Sequence, residues 1–324
     1  MSTELTETCD ATPDLHEPLV AGGAATVPAT GAIATEPLPH IRIQPTRGWA
    51  SLQLKELWRY RELMFFLAWR DIKVRYKQTV FGVAWAVMVP LFTMVVFNVL
   101  FSLLMGAGNQ PSAAGVPYAI STFCAMVPWQ LFANAINGSS NSLVANRNLI
   151  TKVYFPRLIA PIAPVIASLV DFAIAFGMMI VLIAGYHLFT DYTFVFSWAL
   201  LTLPFFVLLA VLTAMAMSMW LSAANAIYRD VRYALPFIVQ VLMYVSPVIY
   251  TTQSIMGPTV PDWVRVLYGL NPLAGVIEGF RWALLGHTDA PGLIIIPSTL
   301  TVLALLLSGM YYFRRMERTF ADLA

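Results

Sequence analysis

Four lysines, two cysteines and four histidines in 324 residues close off several kinds of chemistry at once. None of the lysines (Lys55, Lys73, Lys77, Lys152) follows a glycine, so no GxxxxGK[ST] loop is present to cradle a nucleotide phosphate. Cys9 lies in a polar tail and Cys124 in an apolar run, a placement that excludes a disulfide framework and a CxxC metal site. His16, His40, His187 and His287 form no HExxH or related ligand spacing. No GxSxG nucleophile elbow occurs. The expectation is a chain with no catalytic residue, no metal and no cofactor of its own. Half-and-half repeats of the kind found in many secondary transporters are also not evident.

Charge is scarce as well. Only 11 % of the residues are charged and 59 % are hydrophobic, whereas soluble domains carry about 25 % charged residues. This is the composition of an integral membrane protein. The net charge of +2 matters less than its distribution, and no nucleic-acid partner is expected. Residues 1–48 differ from the rest: rich in Ala, Thr, Pro, Gly and Glu, poor in aromatics and without a period. Such a segment cannot bury enough apolar area to offset its ordering entropy, and lacks the basic start and apolar core of a signal peptide. It reads as a disordered cytoplasmic tail.

A bilayer core of about 30 Å takes roughly 20 apolar residues in helix. Six segments qualify, at about 80–105, 118–139, 158–187, 194–222, 234–252 and 290–313, the second being the least apolar. All the lysines and arginines except Arg265 and Arg281 then fall on one side, in the tail and 49–79, the loops 140–157 and 223–233, and 314–324. The positive-inside rule puts both termini in the cytoplasm. The expected fold is therefore all-α and integral to the membrane, with a six-span domain over 80–313.

Residues 145–161, "ANRNLITKVYFPRLIAP", surface on that basic side with Arg147, Lys152 and Arg157 and no acid. Pro156 and Pro161 limit the length of any helix there. Two readings are open: an anchor against anionic headgroups, or a docking element for a soluble partner. For docking, Tyr154 and Phe155 beside Lys152 and Arg157 make an amphipathic knob.

Residues 52–77 place Leu54, Trp58, Phe65, Trp69, Ile72 and Tyr76 in one helical sector, beside a charged sector containing Lys55, Arg59, Glu62, Arg70, Lys73 and Lys77. This predicts an amphipathic helix over 49–79 lying in the membrane plane. It serves anchorage alone, or its Arg70, Lys73, Arg75 and Lys77 receive a phosphate or pyrophosphate headgroup.

Residues 253–289 are too polar and broken to cross. Asn271-Pro272 is a helix-start signal, and Glu278 and Arg281, three apart, can pair. A re-entrant helical hairpin at the outer mouth is expected over about 253–286, as a gate or a plain cap. Within the spans, Asp171 is costly unless paired, and Asn98, Asn134 and Asn137 suggest interhelical hydrogen bonds. Trp129, Phe132, Tyr244 and Tyr250 offer ring faces that suit the apolar faces of sugars.

Four stretches, in order over about residues 50–320, resemble ABC-2 type permeases that export polysaccharides of the O-antigen, capsule and teichoic-acid kind. They are "LAWRDIKVRYKQTVFGVAWAVMVP", "NRNLITKVYFPRLIAP", "NAIYRDVRYALPFIVQVLMYVSPVIY" and "LYGLNPLAGVIEGFRWALLG". The long tail departs from that pattern. The resemblance implies a homodimer with two copies of a separate ATPase subunit that holds ATP and Mg. It implies a cargo of polysaccharide on polyprenyl pyrophosphate, carried across a bacterial inner membrane. It makes 145–157 the coupling loop, with Asn146, Arg147, Leu149, Lys152, Tyr154, Phe155 and Arg157 as contacts, and the cations of 70–77 the pyrophosphate site. Spans one and five would wall the channel, and Tyr268, Glu278 and Arg281 would join the four aromatics in the channel and gate. Competing readings are an ABC-2 exporter of a lipid or drug, a membrane-embedded glycan-processing enzyme and a stand-alone channel.

Overall fold

The least apolar of the expected spans becomes the centre of the molecule. The computed structural model describes residues 54–77, 82, 84–106, 115–190, 192, 194, 197–228, 230–256, 260–286 and 290–322. The tail expected over 1–48 lies outside the described residues. In chain order the helices are α1 (Leu54–Arg59), α2 (Arg61–Lys77), α3 (Ala84–Met105), α4 (Tyr118–Ala145), α5 (Arg147–Lys152), α6 (Ile159–Phe189), α7 (Leu203–Ile227), α8 (Val231–Val245), α9 (Thr252–Ile255), α10 (Asp262–Gly269), α11 (Pro272–Leu285) and α12 (Ile295–Asp322). All regular structure among the described residues is helical.

Five of these are long and apolar enough to cross a membrane: α3, α4, α6, α7 with its 3-10 lead, and α12 with its own lead. Helix α4 is buried along most of its length and packs on α6, α7, α11, α3 and α8. That explains its composition. A helix so largely enclosed by its neighbours can carry Ser139, Ser140, Ser142 and Asn134, and in lipid such small and polar groups hold helices together. Asn225 of α7 donates to the Ser140 carbonyl at 2.8 Å, and Ser139 to the Pro161 carbonyl of α6 at 2.7 Å. Helix α3 is the opposite case, apolar except for Thr93, Asn98 and Ser102, with only Pro90 and Met94 buried.

The span expected over 234–252 is shorter than predicted. Helix α8 has 15 residues, about 22 Å of rise, less than the hydrocarbon thickness. It ends at Val245, and Ser246-Pro247 begins an irregular stretch to Thr251.

The amphipathic helix is also corrected. α2 does not present one apolar face and one charged face. It turns Leu63, Met64, Leu67 and Ala68 inward onto Phe155, Ile159 and Ala163, while Phe65, Phe66 and Trp69 stay exposed, as does Trp58 of α1. The exposed aromatics share their surface with Glu62, Lys73 and Lys77, so the apolar side chains divide between a face packed on the bundle and a mixed exposed one. It runs alongside the first half of α6 in the same direction, from Ile159 near Leu67 to Asp171 near Arg75.

At the opposite end of the bundle α11 starts as the sequence predicts: the Asn271 side chain accepts from the Leu273 N–H at 3.0 Å, with Pro272 next. Its two inward glycines allow close approach. A Cβ at Gly275 would meet Ser298 of α12, and one at Gly279 would collide with the Phe206 ring of α7. Gly279→Val is expected to destabilise by about 1–3 kcal/mol through overpacking, read as a lower temperature for loss of the monodisperse gel-filtration peak. Gly177→Ala, with open space around it inside α6, should not lower that temperature, since alanine is the better helix former.

Candidate functional site

Three groups of residues carry the sites expected from the sequence, and the fold separates them. The first is the turn between α4 and α6. Asn146 closes α4, its backbone and side-chain N–H groups both donating to the Ser142 carbonyl. The chain then makes the six-residue α5 and an extended stretch before α6. Arg147, Asn148, Thr151, Lys152 and Val153 are exposed, and Tyr154 is 72 % exposed. Leu149 is half-buried beneath them.

Phe155 does not share that surface. It is 5 % exposed and packs among Leu67, Ala68 and Ile159, because the backbone past Val153 is extended and sends neighbouring side chains to opposite sides. The knob of Tyr154 with Phe155 is thus an outward tyrosine and an inward phenylalanine. Arg157 is half-buried and donates to the Glu317 carbonyl of α12 at 2.5 Å. The loop is tied to α2 as well, since Arg70 donates to Asn146 Oδ1 at 2.9 Å and pairs with Asp71 at 2.8 Å.

The second group is the run of cations on α2, which the structure does not gather into one cluster. Arg70 reaches back to Asn146, Lys73 lies 5.8 Å over the Trp69 ring, and Lys77 is exposed. Arg75 turns the other way, to Asp171 of α6. Asp171 is 3 % exposed and accepts three donors: Arg75, Tyr76 and, at 3.0 Å, Asn134 of α4. The acid that looked isolated within its span therefore pairs across helices. Burial and the hydrogen bond to Asp171 push the Tyr76 phenol well above its usual range, so it remains a donor. Tyr76 was legible only as part of the apolar sector; the signal for it was the lone carboxylate of α6, which needs donors from somewhere.

The third group is the one expected at the outer mouth. Arg281 is 1 % exposed and spends its guanidinium on the break after α8. It donates to the carbonyls of Val248 at 2.9 Å, Tyr250 at 2.9 Å and Ser121 at 3.1 Å, and pairs with Glu278 at 3.1 Å. Glu278 also accepts from the Thr252 N–H at 2.7 Å and its hydroxyl at 2.9 Å. Non-helical backbone is tolerated at membrane depth only where its polar groups are satisfied in this way. The Tyr250 hydroxyl donates to the Tyr244 and Val245 carbonyls at 3.0 Å and lies 3.3 Å from that of Tyr268. The expected pair of Glu278 and Arg281 is present, but as a brace inside the fold. Thr252 and Ser121 were not singled out from the sequence; the signal was Ser246-Pro247 inside a predicted span.

The aromatics divide in the same manner. Trp129 and Phe132 are core residues, 4 % and 1 % exposed, because α4 is enclosed on nearly every side. Tyr244 is half exposed, and Tyr250 and Tyr268 are partly so. Within this chain only these three of the five have surface to offer. No cluster of metal-ligating side chains occurs among the described residues.

Residues 62–285 match the family described as ABC-2 type transporter. The chain is 25 % identical over 266 residues to an O-antigen export system permease protein RfbA of Myxococcus xanthus, covering 82 % of this chain and 96 % of that protein. It is 25 % identical over 206 residues to an O-antigen export system permease protein RfbA of Klebsiella pneumoniae, covering 64 % of this chain and 75 % of that one.

Proposed function

Since the chain belongs to the ABC-2 type transporter family, we propose that it is the permease subunit of an ATP-driven exporter of O-antigen-type polysaccharide. The cargo is a glycan on polyprenyl pyrophosphate, moved outward across a bacterial inner membrane. Two copies of the chain form the channel and two separate ATPase subunits drive it. Each copy contributes six spans, α8 with its unwound end being one of them, and both termini face the cytoplasm. The relatives' names support the cargo class, and the chain's length along the Myxococcus xanthus protein supports equivalence of the whole permease.

The observation that carries the reading is α5 with Val153 and Tyr154. It is a short exposed element on the basic end of the bundle, tied through Arg70 and Arg157 to the helices on either side. In a chain without a phosphate-cradling loop, such an element is where a nucleotide-hydrolysing partner would push. Arg75 and Lys77, at the end of α2, are the cations this reading assigns to the pyrophosphate, and the half-exposed Tyr244 marks α8 as channel wall. The outer helices α10 and α11 form the external gate frame.

Purification of the tagged protein in mild detergent, with mass spectrometry of what accompanies it, tests this. A near-equimolar chain carrying GxxxxGK[ST] is expected, with ATP-dependent movement of lipid-linked glycan once both are in proteoliposomes. No ATPase, even after crosslinking through Lys152→Cys, overturns the exporter reading. A captured ATPase that moves only a lipid or drug overturns the glycan assignment alone.

A further inference from the structure

Asp171 and Arg75 form an ion pair between α6 and α2, beyond the buried packing of Leu67 and Ala68 on Ile159 and Ala163. Alongside that packing the facing surfaces of α2 and α6 leave an open apolar groove of about 570 Å³, lined by Phe65, Trp69 and Ile72 on one side and Ile166, Val170 and Ala173 on the other. Forfeited contacts across such a gap contribute no dispersion. The far end of α2 is fastened to α6 through the polar node of Arg75, Tyr76, Asp171 and Asn134. The near end is tied to the docking turn through Arg70 and Asn146 and through Phe155. Asp171 is fixed in α6 at 3 % exposure, whereas the Arg75 side chain remains 36 % exposed. The Arg75 side chain is thus partly accessible from outside, whereas the carboxylate is enclosed.

We propose that Asp171 is a resting-state stand-in for the cargo's headgroup, an internal carboxylate that latches α2 to α6 through Arg75 until a lipid pyrophosphate replaces it. Pyrophosphate accepts bidentate guanidinium hydrogen bonds and carries more charge than one carboxylate. Its arrival transfers Arg75 from an internal to an external partner and frees the far end of α2. Because α2 also grips the docking turn, cargo occupancy becomes legible to the ATPase. Asp171 is thus a positioning residue, and the inference rests on the pyrophosphate cargo proposed above.

The test uses the full-length protein in nanodiscs, with Cys9→Ser and cysteines at Ile72 and Leu169, which line the same groove; native Cys124 is fully buried. Without ligand, a bifunctional thiol reagent should crosslink the pair efficiently. Asp171→Asn should lower the rate roughly tenfold, the shift expected for loss of one charge-assisted hydrogen bond. Arg75→Gln removes the same bond from its exposed side and should do likewise, which guards against misfolding of the buried variant. Farnesyl pyrophosphate should lower the rate in the Asp171 protein and have no effect in Asp171→Asn; farnesol should do nothing in either.

An unchanged rate in both ligand-free variants overturns the latch. So does an unchanged rate in protein that demonstrably retains radiolabelled farnesyl pyrophosphate. Release by inorganic pyrophosphate at equal concentration overturns the lipid as the source of the anion. If no farnesyl pyrophosphate is retained, the cargo reading fails and takes the cargo-sensitive role with it, while the ligand-free comparison still shows whether Asp171 fastens α2.

Discussion

Replacing Arg281 with methionine should abolish a monodisperse, functional protein. The side chain is similar in length and apolar, so the loss comes from what Arg281 leaves behind. Glu278 would remain buried without its cation, and the carbonyls of Ser121, Val248 and Tyr250 would each lose a donor. Removing one partner of a buried pair costs about 3–5 kcal/mol, a large share of the 5–15 kcal/mol typical of soluble proteins. Each orphaned carbonyl at membrane depth adds to that. The double change Arg281→Met with Glu278→Gln separates the two contributions. It removes the stranded charge but not the orphaned carbonyls, so it should recover part of the stability and not all. Full recovery would show that the break after α8 does not depend on Arg281. The measurement is detergent-solubilised yield and melting of the gel-filtration peak for the two variants beside the unaltered chain.

Reversing charge on the turn proposed for docking should do the opposite: leave the fold intact and remove the proposed transport. Arg147→Glu, Lys152→Glu and Tyr154→Ala together alter only exposed side chains of α5 and the residues that follow. The variant should insert and purify normally, and its thermal stability should stay within about 0.5 kcal/mol, as for surface positions. Its association with the ATPase should weaken by roughly a hundredfold or more, because unfavourable charge at an interface costs several kcal/mol. ATP-dependent glycan movement should then fall to background. Phe155→Ala provides the contrast. It hollows out the contact between α2 and α6 and should lose about 3–5 kcal/mol of stability, so any loss of transport there follows from unfolding. Quantitative pull-down of the ATPase, run in parallel with stability, distinguishes the two. Undiminished ATPase binding by the charge-reversed protein would mean that docking uses another surface.

Much of the architecture was legible because the membrane imposes one-dimensional rules. Run length, charge asymmetry and the Asn271-Pro272 start signal depend on neighbours in sequence, and the long apolar helices and α11 appear where those rules put them. The Glu278 and Arg281 pair is local for the same reason, three residues apart on one helix. The chain also disclosed through composition that α4 differed from its fellows, though not why.

What only tertiary structure decided is every partnership across sequence distance. Arg75 and Asp171 are 96 positions apart, and nothing in either neighbourhood names the other; packing of α2 along α6 brings them together. Trp129 and Phe132 carry the same rings as channel-lining residues would, yet the central place of α4 makes them core. Tyr154 and Phe155 are adjacent in sequence and end on opposite sides of the chain, since an extended backbone alternates its faces. Sequence by itself determined that this is an integral membrane protein of several long apolar helices and where its cations cluster, because those follow from transfer energy and charge summed along the chain. Which side chains meet, and hence which cations remain available to a ligand, was settled only when helices chose their neighbours.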